Sequence, residues 1–189
     1  MRALTALQRA DVACLVVDAT QGFLRQEARL AGNAMDAGCS LLLIYNKWDL
    51  IEEREASWKR MLAERKQRYP TLTDLPAVPV SAAERVHLGK LPALIQQRAD
   101  EHRRTVSTGD LNRWLEQAQQ RRAPPSNRVG KVPKIYYVTQ TGTRPPTFTL
   151  FVNAPDRLSP PYRRYLWLDL TAYFGFRGTP VRLSVRKSE

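Results

Sequence analysis

Histidine and cysteine, the side chains that carry most metal and nucleophile chemistry, are nearly missing: two of each among 189 residues. His87 and His102 stand alone, and Cys14 and Cys39 lack metal-ligand spacing. This excludes a disulfide scaffold and a Cys/His metal centre, and no Ser/His/Asp constellation suggests nucleophilic catalysis. Both cysteines read as small core residues in a reducing compartment, His87 as a loop residue and His102 as an exposed helix residue. Long apolar runs are also absent. None approaches the ~20 residues that span a bilayer, and Met1-Arg2-Ala3-Leu4-Thr5 lacks the apolar stretch of a secretory signal. A cytoplasmic chain with no membrane partner is expected. No Gly-x-x-x-x-Gly-Lys-Ser/Thr loop, the cradle for nucleotide phosphates, occurs anywhere. Acidic residues are scarce in one half. Residues 1–105 hold 16 Lys+Arg against 13 Asp+Glu, whereas 106–189 hold 14 against 5. Such a bias predicts a polyanionic partner, most economically RNA.

What the chain does contain is Asn46-Lys47-Trp48-Asp49, directly after the apolar run Leu41-Leu42-Leu43-Ile44-Tyr45. This is the N-K-x-D pattern that selects guanine. Guanine offers two donors on one edge, N1–H and N2–H₂, and a carboxylate such as Asp49 accepts both as a charge-assisted pair. Adenine offers an acceptor at N1 and no amino group at C2. Its binding would leave the carboxylate desolvated and unpaired, at a cost of roughly 1–3 kcal/mol. Asn46 can donate to the O6/N7 side and tie the loop to neighbouring backbone. The stem of Lys47 can cover the flat face of the base, and Trp48 takes the permissive position. In open α/β sheets ligands bind beyond the carboxyl ends of strands. A second strand-like run, Ala77-Val78-Pro79-Val80, ends in Ser81-Ala82; in GTPases a Ser-Ala pair at this distance supplies a backbone N–H to guanine O6.

Strands are predicted at 11–18, buried on both faces, at 40–45 and at 77–80. Helices are predicted at 24–37, with Leu24, Ala28, Ala31 and Met35 on one face and Gly38 as C-cap, at 53–68 and at about 90–103. Strands alternating with helices make a parallel α/β unit. Near residue 105 the pattern changes. A helix starting near Asp110, capped by Ser107 or Thr108, precedes strands at 133–140 and 147–153. A helix at 160–174 and a strand at 180–186 follow. This α-β-β-α-β order, with the two middle strands antiparallel, describes a small α+β domain, so two domains are expected, 1–105 and 106–189. Of Tyr136, Tyr137, Phe148 and Phe151, about half should be core, because side chains alternate along strands.

With both halves read, the chain resembles the Der (EngA) family of ribosome-assembly GTPases. The carrying segments are Ala10-Asp11-Val12, Val17-Asp18-Ala19-Thr20-Gln21-Gly22, Asn46-Lys47-Trp48-Asp49-Leu50 and Val80-Ser81-Ala82. To these are added Lys134 to Gln140, Gly142-Thr143-Arg144-Pro145-Pro146-Thr147-Phe148, Tyr162-Arg163-Arg164-Tyr165-Leu166 and Phe174-Gly175-Phe176-Arg177-Gly178-Thr179-Pro180. The resemblance implies an α/β fold: a partial Ras-like P-loop-GTPase parallel sheet lacking its first three strands, followed by a small KH-like domain. It implies GTP or GDP as ligand, recognised by Asn46, Lys47, Trp48, Asp49, Ser81 and Ala82. It also implies Mg²⁺ in the complete family protein, although the phosphate loop, switch threonine and Asp-x-x-Gly that would hold it have no counterpart here. Asp18-Ala19-Thr20-Gln21-Gly22 has the wrong spacing for a switch and reads as a structural turn. The chain is therefore expected to be a fragment without hydrolytic activity of its own, and strand 11–18 to be a sheet edge. Implied partners are the large ribosomal subunit and rRNA, with no DNA expected, together with the N-terminal G domains of the same protein. Arg121, Arg122, Arg128, Lys131, Lys134, Arg144, Arg163 and Arg164 are the candidates for RNA-backbone contact. Gly175-Phe176-Arg177-Gly178 has the G-x-x-G spacing of a KH phosphate clamp. Its place between the last helix and last strand reads instead as a helix C-cap and turn. The alternative function is a non-enzymatic remnant that binds RNA or protein through residues 106–189 alone.

Overall fold

The computed structural model describes residues 6–7, 9–125 and 132–188. The chain divides into two compact units. The first comprises Met1–His102 with Arg177–Pro180, the second Arg103–Phe176 with Val181–Glu189.

In the first unit, β1 (Val12–Asp18), β2 (Ser40–Asn46) and β3 (Ala77–Pro79) form a parallel sheet in the order β1-β2-β3. The run Ser-Leu-Leu-Leu-Ile-Tyr makes β2 the central strand, because no polar face remains to point at water; all six side chains are buried. Alternate residues serve opposite layers. Leu41, Leu43 and Tyr45 pack with Ala31 and Ala34 of α1 (Arg25–Asp36) and Trp58 of α2 (Arg54–Arg68). Leu42 and Ile44 join Val78 and Val80 under Leu91, Leu94 and Ile95 of α3 (Leu91–Arg103). Gly38, at φ 96°, ends α1 as expected, its N–H donating to the Met35 carbonyl.

Strand β1 is outermost in this sheet, as anticipated, but it is not buried on both faces. Cys14 is exposed and Val16 is 59% exposed, while Val17 is buried. Of the two cysteines only Cys39 is core. Leu24 also departs from expectation: it precedes α1 and is exposed, and Ala34 joins Ala31 on the buried face. His102 is buried, not exposed. Its Nε2–H donates to the Gly38 carbonyl at 2.6 Å, the bond that makes burial of an imidazole tolerable, while its Nδ1 lies 3.5 Å from Asp11 Oδ1 without a hydrogen bond.

In the second unit, β4 (Ile135–Gly142) pairs antiparallel with β5 (Thr147–Val152), which pairs parallel with β6 (Arg182–Lys187). Helices α4 (Thr108–Arg121) and α5 (Pro160–Tyr173) cover one face. Leu111, Trp114 and Leu115 of α4 and Tyr162, Leu166 and Leu170 of α5 close over Val138, Phe148, Leu150 and Val152. Ser107 caps α4, its Oγ accepting from the Asp110 N–H. That serine also donates to the Asp110 carboxylate, which holds the Asp110 pKa below the usual range. Asn112 answers both main-chain groups of Val138, accepting its N–H at 3.0 Å and donating to its carbonyl, so this outer strand is blunted by a side chain.

The other face of this sheet carries a different set. Tyr137, Phe151 and Arg186 are in cross-strand register, as are Thr139, Thr149 and Ser184. Thr149 Oγ1 lies 3.0 Å from Thr141 Oγ1 and 2.8 Å from Ser184 Oγ, forming a row of linked hydroxyls. Of the four strand aromatics only Phe148 is core, fewer than the half expected: Phe151 is half-buried, and the adjacent Tyr136 and Tyr137 are both exposed because the register shift between Ile135 and Tyr137 breaks period two.

Candidate functional site

The carboxyl ends of β1, β2 and β3 converge because their registers align. Asp18 pairs with Asn46 across β1–β2, and Tyr45 with Pro79 across β2–β3. The residues immediately after each strand therefore emerge side by side. The Trp48 N–H donates to the Val80 carbonyl at 3.0 Å and the Val80 N–H to the Tyr45 carbonyl at 2.8 Å, tying the second loop to the third.

Side chains complete the junction. The Ala82 N–H donates to Asn46 Oδ1 at 3.0 Å, and the Ser81 hydroxyl donates to Asp49 Oδ1 at 2.5 Å. Ser81 is fully buried, and its Oγ also accepts from the Glu84 N–H. Asn46 and Asp49 are thus each fixed by the Ser81-Ala82 pair, 32 to 36 residues away. Asp49 is half-buried, and its Oδ2 has no hydrogen-bond partner among the described residues. A carboxylate has about four acceptor positions, so the Ser81 bond leaves capacity for two further donors. The Ala82 N–H is already engaged, and a base carbonyl would have to share or displace that bond.

Lys47 adopts the left-handed conformation, φ 64° and ψ 36°. Its Nζ meets Asp18 Oδ2 at 2.6 Å. Asp18 Oδ1 in turn accepts from the Thr20 N–H at 3.0 Å and the Thr20 hydroxyl at 2.7 Å. Those donors, Lys47 first and Thr20 next, pull the Asp18 carboxyl down to about 2. Asp18 and Thr20 were not among the residues expected at the site. The signal was present, since two parallel strands ending in register place the residue after one beside the last residue of the other. Trp48, expected among the guanine-binding residues, is instead buried, with its ring edge-to-face against Trp58 at 5.6 Å, and anchors the loop from beneath.

A family model described as the elongation factor Tu GTP binding domain matches residues 2–104, and one described as the KH-domain-like region of EngA bacterial GTPase enzymes, C-terminal, matches residues 105–186. The chain belongs to the Der (EngA) family. It is 38% identical over its whole length to the GTPase Der of Desulforamulus reducens, of which it spans 43%. It is 40% identical to that of Gloeobacter violaceus, covering 98% of this chain and 41% of that one. This Der-family chain therefore spans under half the length of the curated relatives it matches. Among solved structures it is similar to Aquifex aeolicus Era bound to GDP and aluminium fluoride: 17% identity, TM-score 0.45, covering 98% of this chain and 68% of that one.

The basic candidates of this Der-family chain fall into three groups. Arg128 and Lys131 lie outside the described residues. Arg121 is ion-paired with Asp169 at 2.7 Å, and Arg163 donates to the Leu158 and Pro155 carbonyls, so both serve the unit's own architecture. Lys134, Arg122, Arg144 and Arg164 are exposed. Lys134 Nζ stands 5.3 Å from the Tyr136 ring and the Arg122 guanidinium 5.3 Å from that of Tyr165. Gly175-Phe176-Arg177-Gly178 behaves as a cap. Gly175, at φ 68°, donates to the Ala172 carbonyl and Phe176 to that of Thr171, closing α5.

Proposed function

We propose that this chain supplies the guanine-selecting half of a GTP/GDP site, joined to a basic KH-like domain that docks on ribosomal RNA, within a ribosome-assembly protein of the cytoplasm. The observation that carries the reading is the coupling of Asn46 to Ala82 and Asp49 to Ser81 at the mouth of the parallel sheet. It holds a carboxylate in place with two acceptor positions in hand, the complement of guanine's N1–H and N2–H₂. Lys47, steadied by Asp18, would cover the base. Residues 1–105 and 106–189 are taken as the two working domains. The donor set suits the base alone: no phosphate-cradling loop and no switch threonine stands in this sequence, so no step through Mg²⁺ is derived. The excess of basic residues in 106–189 supports a polyanionic partner, for which we name the rRNA of the large subunit.

Titration with GMP and AMP, followed by amide shifts of the protein, tests the site. Saturable shifts at Ala82 and Asp49 with GMP alone are expected. Equal shifts with AMP, or none at these amides with either, would refute the assignment.

A further inference from the structure

We propose that the face of the β4–β5–β6 sheet opposite α4 and α5 binds single-stranded RNA, with bases adding to the stacked aromatic side chains of β4 and β5 and phosphates held by the cations beside them. The inference rests on the RNA-docking reading above and names the surface that performs it.

Register places the parts. Tyr137 lies opposite Phe151, which lies opposite Arg186, while the next residues, Val138, Leu150 and Val185, turn to the helical core. The Tyr137 and Phe151 rings are already stacked, centroids 4.5 Å apart at 13°. A parallel aromatic pair of which one member is 40% exposed is a platform on which a base continues the stack. A register shift between Ile135 and Tyr137 leaves Tyr136 without a partner on β5. A bulge of this kind sends two successive side chains outward, and Tyr136 is 48% exposed next to Tyr137. The ammonium of Lys134 stands over the Tyr136 ring, adding a phosphate contact beside the second aromatic.

The charge is one-sided. No Asp or Glu occurs in the three strands. Arg182 and Arg186 of β6 are exposed, and neither has an ion-pair partner among the described residues. Between the aromatic end and Arg182 runs the row of linked hydroxyls, with Thr141 and Ser184 exposed at its ends and Thr149 buried between them; the exposed end hydroxyls can meet a ribose 2′-OH. Aromatic and arginine side chains also suit a protein interface; the exposed cations, with no acid in the three strands, are what point to a polyanion. Rings, cations and hydroxyls without acids favour a flexible nucleic acid strand over a protein.

The test uses the whole chain and a labelled ten-nucleotide single-stranded RNA, read by fluorescence anisotropy across a salt series. Parallel arms use the same sequence as DNA and as an RNA duplex. Tyr137→Ala and Tyr136→Ala should each weaken binding at least about fivefold without changing the salt slope, because stacking releases no counterions. Tyr137→Trp should restore affinity, which a folding defect would not permit. Arg182→Gln with Arg186→Gln should flatten the slope by about 0.7 per arginine. If the wild-type chain binds no RNA, the docking reading falls and this inference with it. If it binds and the tyrosine variants are unaffected while Arg164→Gln weakens it, the docking reading stands and the sheet face is refuted. Equal affinity for duplex, or for DNA, would also overturn the assignment to single-stranded RNA.

Discussion

Replacing Asp49 by asparagine changes one oxygen into an NH₂ group and removes one charge, and its effect on base choice can be worked out from the site. Asp49 Oδ1 accepts from Ser81 Oγ, a bond that an asparagine oxygen can keep, so the loop should hold its shape. Guanine presents two donors. Against the carboxylate both find acceptors; against the amide one N–H meets another N–H and the second bond loses its ionic character. Hydrogen bonds to a charged group contribute about 1.5–3 kcal/mol each, so losing one and weakening the other costs roughly 2–4 kcal/mol. That is about a 30- to 1000-fold loss of affinity. Xanthine carries a carbonyl where guanine has its amino group. It sets an acceptor against the Asp49 carboxylate but pairs with both halves of the amide that replaces it. The preference should therefore invert. The assay is amide-shift titration of wild-type chain and Asp49→Asn with GMP and XMP, scored at Ala82. Wild type should saturate with GMP and the variant only with XMP. A variant that still responds to GMP as wild type does would refute the role assigned to Asp49.

Wild-type chain should hydrolyse GTP no faster than buffer, and any turnover that persists in Asn46→Ala and Asp49→Ala would identify a contaminant; turnover abolished by them would contradict the reading. Asp18, depressed to about 2 by Lys47 and Thr20, contributes stability that is present above the unfolded carboxyl value of about 3.9 and lost as pH falls toward 2. Acid unfolding followed by circular dichroism should therefore be shallower over that window in Asp18→Asn, and identical acid profiles would count against the pair. Ser107→Ala removes an N-cap that accepts from the Asp110 N–H and should cost about 0.5–2 kcal/mol, measured by urea unfolding. Gly178, at φ 68°, has the Pro76 ring where a Cβ would stand; Gly178→Ala should lower the melting temperature, and an unchanged one would refute the packing.

Much of this architecture was readable residue by residue, for physical reasons that differ between elements. Ser40–Asn46 announced a central strand because an unbroken apolar run has no face for water. Ser107, Gly38 and Gly175 marked helix ends because cap chemistry is local. Asn46, Asp49, Ser81 and Ala82 could be brought together on paper because residues after parallel strands share one sheet end. Contacts made at a distance were not readable. Burial of His102 depends on the Gly38 carbonyl, which nothing in its own helix foretells. Exposure of Cys14 and Val16 follows from what covers β1, not from their hydrophobicity. The motif groups Trp48 with the guanine-binding residues, but Trp58 holds it inward. The engagement of Arg163 with two backbone carbonyls withdrew a cation that composition alone would have assigned to a ligand.

Lys47 keeps a backbone shape that side-chain-bearing residues adopt at a cost of about 1–2 kcal/mol and glycine adopts freely. A glycine at this position would relax the main chain while giving up the ammonium that Asp18 steadies. Selection for ruggedness alone would put this corner under pressure, together with Glu53, Arg85 and His87, which share its backbone region. A thermostability screen run without a nucleotide-binding readout should enrich substitutions at position 47.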